Sequence, residues 1–181
     1  MARVWLGWEW LQSGWGKVFG GNINFFDSEP FSISGAGNCG WVRACEDVGV
    51  GDAVAGFSAR AIEGAAGPHP SVGFGWYVNF LEFMRDTGHT FFGPLVAIGE
   101  VVIGVLLILG MFTGIAAFLG AVLNFNFMFS GSAGVNPGMV LVAILLILAW
   151  RNAGWIGLDS WLLPKVGVPW NRAAEEQVTV T

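Results

Sequence analysis

Hydrophobic residues in this chain fall into long runs separated by short polar clusters. The clearest is Phe91 to Phe112 (FFGPLVAIGEVVIGVLLILGMF), which matches the roughly 20 consecutive apolar residues a bilayer crossing needs. Thr113 and Gly114 break it, and Ile115 to Phe129 follows, interrupted by Asn124 and Asn126. So short a break predicts a tight helical hairpin. Ser130 to Pro137 (SGSAGVNP) reads as a loop by its Gly, Ser and Asn-Pro content. Gly138 to Trp150 is the next run, and it reaches spanning length only if Asn136, Pro137 and Arg151 to Trp155 contribute. Pro137 lies near the helix start, where a missing N–H costs nothing.

The first run, Val4 to Gly20 (VWLGWEWLQSGWGKVFG), carries Glu9, Gln12 and Lys17 among its Trp and Leu residues. At helical spacing Glu9, Gln12, Gly16 and Lys17 share one side, with Trp5, Trp8, Leu11, Trp15 and Val18 over the rest. This predicts a span whose polar stripe turns towards the other helices. A signal peptide is the competing reading, but an acid lies inside the apolar region and no small-residue cleavage pattern follows. An interfacial helix is the fallback. Between this run and the next, Gly21 to Thr90 is rich in Gly and acids; inside it Asp52 to Gly64 and Trp76 to Asp86 repeat apolar residues at helical spacing. Gly157 to Pro164 reads as an amphipathic interfacial segment, with Trp155, Trp161 and Trp170 as anchors, and Asn171 to Thr181 as a polar tail. The expected fold is therefore all-α: an integral membrane four-helix bundle in one domain, 1–181. Its spans are about 3–20, 91–112, 114–131 and 136–154, with an extracytoplasmic loop 21–90 between helices 1 and 2 and a cytoplasmic tail 155–181.

Composition strengthens this reading. With 54% hydrophobic and 12% charged residues, the chain departs far from a soluble average, so lipid is its main solvent and partner. The net charge of -5 with scattered Lys and Arg argues against a nucleic-acid partner, which needs clustered cations to neutralise phosphates. Arg3 precedes the first span and Arg151, Lys165 and Arg172 follow the last, opposite the acid-rich loop. The positive-inside rule then places both termini in the cytoplasm and 21–90 outside, with Arg43, Arg60 and Arg85 running against it.

Candidate chemistry starts with Glu100, an ionisable group inside the longest apolar run. Such a group costs several kcal/mol unless it faces a bundle interior, a partner or water. Lys17 is the natural partner, although it lies near the outer end of its span while Glu100 is about ten residues into the next. Arg3 is the rival, and Glu9 a further member of the polar cluster. Asn124 and Asn126 are two apart and cannot share one helix face, so at most one joins Glu100. Small-x-x-x-small pairs at Gly110/Gly114, Ala116/Gly120 and Ala117/Ala121 predict close helix packing, and Gly99, Gly104 and Gly120 leave space beside Glu100 and Asn124. Cys39 and Cys45 (CGWVRAC) read as a structural disulfide in an oxidising compartment; a redox-active thiol pair is the alternative, which the spacing does not support. His69, between two prolines, reads as a surface turn, and neither it nor His89 has ligand spacing to the cysteines, so no metal site is expected. No flavin, haem or iron–sulfur motif is present, and no covalently bound cofactor is expected.

The residues that carry all this also form a family pattern. WLGWEWLQSGWGKVFGG, DAVAGFSARAI, PSVGFGWYVNFLEF, the long stretch from VAIGEVVIGVLLILGMF to SGSAGVNP, and LLILAWRNAGWIGLDSWLLP together resemble the DoxX family of small four-helix membrane proteins. The most specific parts are GWGK at Gly14 to Lys17, G-E-x-x-x-G at Gly99 to Gly104 and N-x-N-F-M at Asn124 to Met128. The Cys-bearing stretch 27–50 looks like an insertion. The resemblance implies a prokaryotic cytoplasmic-membrane protein and a relation to DoxD, taken here as the large membrane subunit of thiosulfate:quinone oxidoreductase. It implies a subunit of a quinone-linked redox complex, with other subunits and a quinone as partners; if catalytic, it needs a partner, and Glu100 is the catalytic candidate. An accessory or scaffold subunit of a larger respiratory or other energy-transducing complex is the alternative. A small transporter is weakened by the lack of an inverted repeat. The polar cluster itself can equally be a network that fixes helix register.

Overall fold

The computed structural model describes residues 1–24, 30–33, 37–68, 70, 72–132 and 134–168. His69, Trp170, Arg172 and the tail 171–181 lie outside the described residues. The described chain is mostly helical: α1 (Ala2–Phe19), α2 (Asp52–Ala65), α3 (Gly75–Phe83), α4 (His89–Leu109), α5 (Thr113–Phe129), α6 (Asn136–Leu148), α7 (Trp150–Trp155) and α8 (Asp159–Lys165). No strand forms among the described residues; isolated bridges Ile23–Phe31, Cys39–Arg43 and Cys45–Val48 tie the segment between α1 and α2.

The helical spacing of Trp76 to Asp86 is seen as α3, but the helix is not separated from the apolar run that starts at Phe91. A π-helical turn, Met84–Gly88, joins α3 to α4 without a break, so Gly75–Leu109 is one helix of 35 residues. Nothing in Arg85–Asp86–Thr87 stops a helix, and Arg85 and Asp86 pair with each other at 2.7 Å on the surface. Among the described residues this is the one helix long and apolar enough to cross a membrane. At 1.5 Å per residue it is about 52 Å long, well beyond the roughly 30 Å of a hydrocarbon core, so its first part projects past any bilayer it crosses. Helices α5 and α6 are apolar but shorter.

Helix α1 packs on α4, α4 on α5, α5 on α6 and α6 back on α1, closing a ring of four. The core between them holds Leu6, Trp10, Ile103, Leu107, Ala116, Ala117, Met139, Ala143 and Leu146. On the projecting side, α2 packs on α3 around Ala61, Val72, Tyr77 and Leu81. The buried stripe of α1 is Leu6, Gly7, Trp10 and Gly14. Of the expected Glu9–Gln12–Gly16–Lys17 stripe, Lys17 reaches α4, whereas Gln12 is exposed and Glu9 half-buried. The reason is close approach. A Cβ on Gly14 would lie 2.6 Å from the Val101 amide nitrogen, and one on Gly7 2.9 Å from the Gly104 carbonyl, so the glycines of α1 must face α4.

The α4–α5 turn comes three residues earlier than expected. Gly110 ends α4 in the left-handed conformation, φ 66°, which suits a residue without Cβ. Gly110 and Gly114 thus straddle a turn and form no helix-packing pair. A residue far along the chain closes the gap: the fully buried Asp159 carboxylate accepts the Phe112 N–H at 2.5 Å and the Thr113 N–H at 2.9 Å. These are orphan donors at the start of α5, and a carboxylate there also complements the helix dipole. Asp159→Ala is expected to lower stability by about 2 kcal/mol, because two buried N–H groups lose their acceptor; Asp159→Asn should retain part of it. Thermal unfolding in detergent micelles checks this, and equal stabilities would refute the cap.

Candidate functional site

Helices α1 and α4 run antiparallel, with Gly7 against Gly104 and Gly14 against Glu100 and Val101. By that register Lys17 is level with Ala97, one turn short of Glu100, and its long side chain covers the difference. Lys17 Nζ donates to Glu100 Oε2 at 2.5 Å and to Ser13 Oγ at 2.6 Å. The Glu100 side chain is fully buried and that of Lys17 is 18% exposed. The ion pair therefore has one end in the core and the other at the rim.

A third group covers the rim. Cys39 and Cys45 form a disulfide, and the loop it closes places the Trp41 ring 5.2 Å from Lys17 Nζ, within range of a cation–π contact. Ser13 and Trp41 were not singled out from the sequence; the four-residue spacing of Ser13 to Lys17 carried a hint, and nothing links Trp41 to Lys17 along the chain.

The remaining candidates go to different places. Arg3 donates to the carbonyls of Ala153 at 2.5 Å and Ile156 at 2.8 Å, at the opposite end of α1, about 21 Å from Lys17 along the helix axis. It does not reach Glu100; it caps the C-terminal end of α7, where a cation is favoured. Glu9 stays outside the ion pair. Asn124 is fully buried, one turn along α5 from Gly120, whose missing Cβ makes room for the Trp10 indole at 2.9 Å. Glu100 Oε1, Trp10 Nε1 and both amide atoms of Asn124 find no hydrogen-bond partner among the described residues. Three helices thus each bring an unpaired polar group into the core that also holds the ion pair. Buried polar atoms of this kind cost about 1–3 kcal/mol each unless a partner, water included, meets them.

Asn126 points elsewhere. Its side-chain amide donates to the Val122 carbonyl at 2.7 Å, while its own carbonyl accepts the Tyr77 hydroxyl at 2.8 Å and the Ser130 hydroxyl at 2.8 Å. This cluster edges a cavity of about 250 Å³ between α2, the long helix and α5. His89 Nε2 lies 3.9 Å from Asp52 Oδ1, and among the described residues no group of three or more His, Cys, Asp or Glu could hold a metal.

Comparison with known families adds the last observation. The family model described as "TQO small subunit DoxD" matches residues 75–178, more than half of the chain. The chain belongs to the DoxD family. The described family member is a small subunit, where the sequence reading took it as a large one. The match begins with the long helix and takes in Glu100, Asn124, Asn126 and Asp159, whereas Lys17 and the disulfide loop precede it. No match is found among curated proteins or among solved structures.

Proposed function

We propose that this DoxD-family chain is a membrane subunit of a quinone-linked redox complex of the thiosulfate:quinone oxidoreductase kind, acting with a partner subunit that meets its outer face. The observation that carries the reading is the fully buried Glu100 in the family-matched helix, paired with Lys17. A carboxylate at that depth is retained where a proton has to be held inside the membrane. Reduction of quinone, the substrate, takes two electrons, drawn from the complex's thiosulfate-type reductant through the partner subunit, and two protons, one passed on by Glu100 and the other from water; Lys17, Ser13 and Trp41 hold the carboxylate in place.

In this reading α1, α4, α5 and α6–α7 span the prokaryotic cytoplasmic membrane as a four-helix bundle. Helix α6 alone is about 20 Å long, and α7 brings the pair near the bilayer thickness. Arg3 bonded to the end of α7 supports both termini lying on one side, the cytoplasmic side by the positive-inside rule. The disulfide loop and α2 then lie outside, where an oxidised cysteine pair persists.

Glu100→Gln is expected to lower quinone-dependent turnover of the complex by about 100-fold, the size of a lost general acid–base group, with the complex still assembled. The accessory-subunit reading has one observation in its favour: Arg3, Asp159 and the Lys17–Glu100 pair all make contacts that tie helices together. Unchanged turnover of Glu100→Gln together with loss of partner subunits from the purified complex would decide for it.

A further inference from the structure

The cavity beside Asn126 has features that its neighbour Glu100 lacks. It is a half-open cavity of about 250 Å³; a cavity of about 150 Å³ accepts benzene, so this one has room for a single substituted ring. Its walls include the rings of Phe57, Phe80, Phe92 and Phe127, and none of its lining residues carries a charge. An anionic lipid headgroup would be left unpaired there, so the ligand is neutral.

The polar end is more specific. Tyr77, Asn126 and Ser130 meet at one edge. The Asn126 main-chain carbonyl already accepts the Ser130 N–H, so with one hydroxyl proton given to it and the other shared across the 3.0 Å Tyr77–Ser130 contact, lone pairs remain on a hydroxyl oxygen and on Asn126 Oδ1. One hydrogen of the Asn126 amide bonds Val122, and the other is free. The edge can thus donate to a carbonyl oxygen and accept from a hydroxyl, which matches both the oxidised and the reduced form of a para-quinone. A second, more open hollow shares Tyr77, Phe80, Val122 and Asn126 with the first and continues past Phe125 and Phe129, a path for an apolar tail. The π-helical turn contributes Met84 to the wall, and such turns recur at functional sites.

We propose that this cavity is the ring-binding site for a lipid-soluble quinone, with the tail lying in the adjoining hollow and one ring oxygen on Tyr77, Asn126 and Ser130. It rests on the quinone-linked reading above and adds the place of binding. Val96 and Leu123 are among the lining residues; Val96 is one turn from Glu100 along α4 and Leu123 is next to Asn124, although Glu100 itself does not line the cavity.

The test is equilibrium binding of decyl-benzoquinone, with decylbenzene as the ring-only probe, to the full chain in phosphatidylcholine nanodiscs. Val122 faces outward at the mouth, so Val122→Trp plugs it without touching the core and should weaken both probes at least about tenfold. Asn126→Leu should weaken the quinone about three- to tenfold and leave decylbenzene unchanged, the effect of a lost hydrogen bond. Photolabelling by an azidoquinone, mapped to 77–84 and 122–130 in the wild-type chain, supports the same site without relying on a variant's folding. Quinone binding that survives both variants, with labelling elsewhere, overturns the cavity but leaves the quinone-linked reading standing. Quinone loss in Val122→Trp with none in Asn126→Leu makes it an apolar-lipid pocket and overturns the assignment. No quinone binding to the wild type overturns both readings together.

Discussion

Lys17→Met is expected to destabilise the chain by about 3–5 kcal/mol, the cost of leaving a buried charge without its partner. The Glu100 carboxylate has no exposure to water, and its second oxygen already lacks a partner, so without Nζ only the neutral Ser13 hydroxyl beside the pair is left, with no charge to balance it. The double variant Lys17→Met/Glu100→Gln should recover most of the loss, because it removes the unpaired charge rather than restoring a bond. Denaturant or thermal unfolding of the three variants in one lipid or micelle system gives the coupling. A single variant as stable as wild type would show that the pair contributes nothing, and an additive double variant would show that the two residues act separately.

How much of this was legible in the sequence depends on the kind of residue. Glu100 stood out because it is a lone charge in a long apolar run, and Lys17 because it was the opposite charge on a helix that could not face lipid all round. Their depth mismatch dissolved once the antiparallel register put Lys17 one turn from Glu100. Asn124 and Asn126 part company as a two-residue spacing demands, one into the core and the other towards Tyr77. What could not be read was anything set by long-range closure. Asp159 sits in a polar turn 46 residues beyond the N–H of Thr113 that it caps, and no local pattern announces that contact. Nothing in the sequence set Trp10 apart from the other rings of α1, yet it is 2% exposed, because Gly120 on α5 leaves a slot for it. The helical spacing of Trp76 to Asp86 was legible, but its continuation through Thr87 and Gly88 into the apolar run was not, because polar residues and a glycine there do not announce an unbroken helix.

The two glycines of the G-E-x-x-x-G motif should respond oppositely to a side chain. At Gly104 a Cβ would lie 2.6 Å from the Leu11 amide nitrogen and 2.8 Å from both the Gly7 carbonyl oxygen and Leu11 Cα. All of these are backbone atoms of α1, so no flexible side chain can yield and the whole helix must shift. Gly104→Ala is expected to cost about 1–3 kcal/mol, as overpacking of a tight core does, and Gly104→Val more. At Gly99 nothing lies within 4 Å of the same position, so Gly99→Ala meets no clash and gains up to about 1 kcal/mol of helix propensity. The displacement at Gly104 also has a functional reach. Gly7, Gly104 and Gly14 set the separation of α1 and α4 along the face that carries Lys17, so a helix pushed outward draws Nζ away from Glu100. Gly104→Val should therefore weaken the Lys17–Glu100 coupling measured by the same double-variant cycle, whereas Gly99→Ala should leave it intact. Equal unfolding midpoints for the two alanine variants would refute the close helix crossing on which the geometry of the ion pair depends.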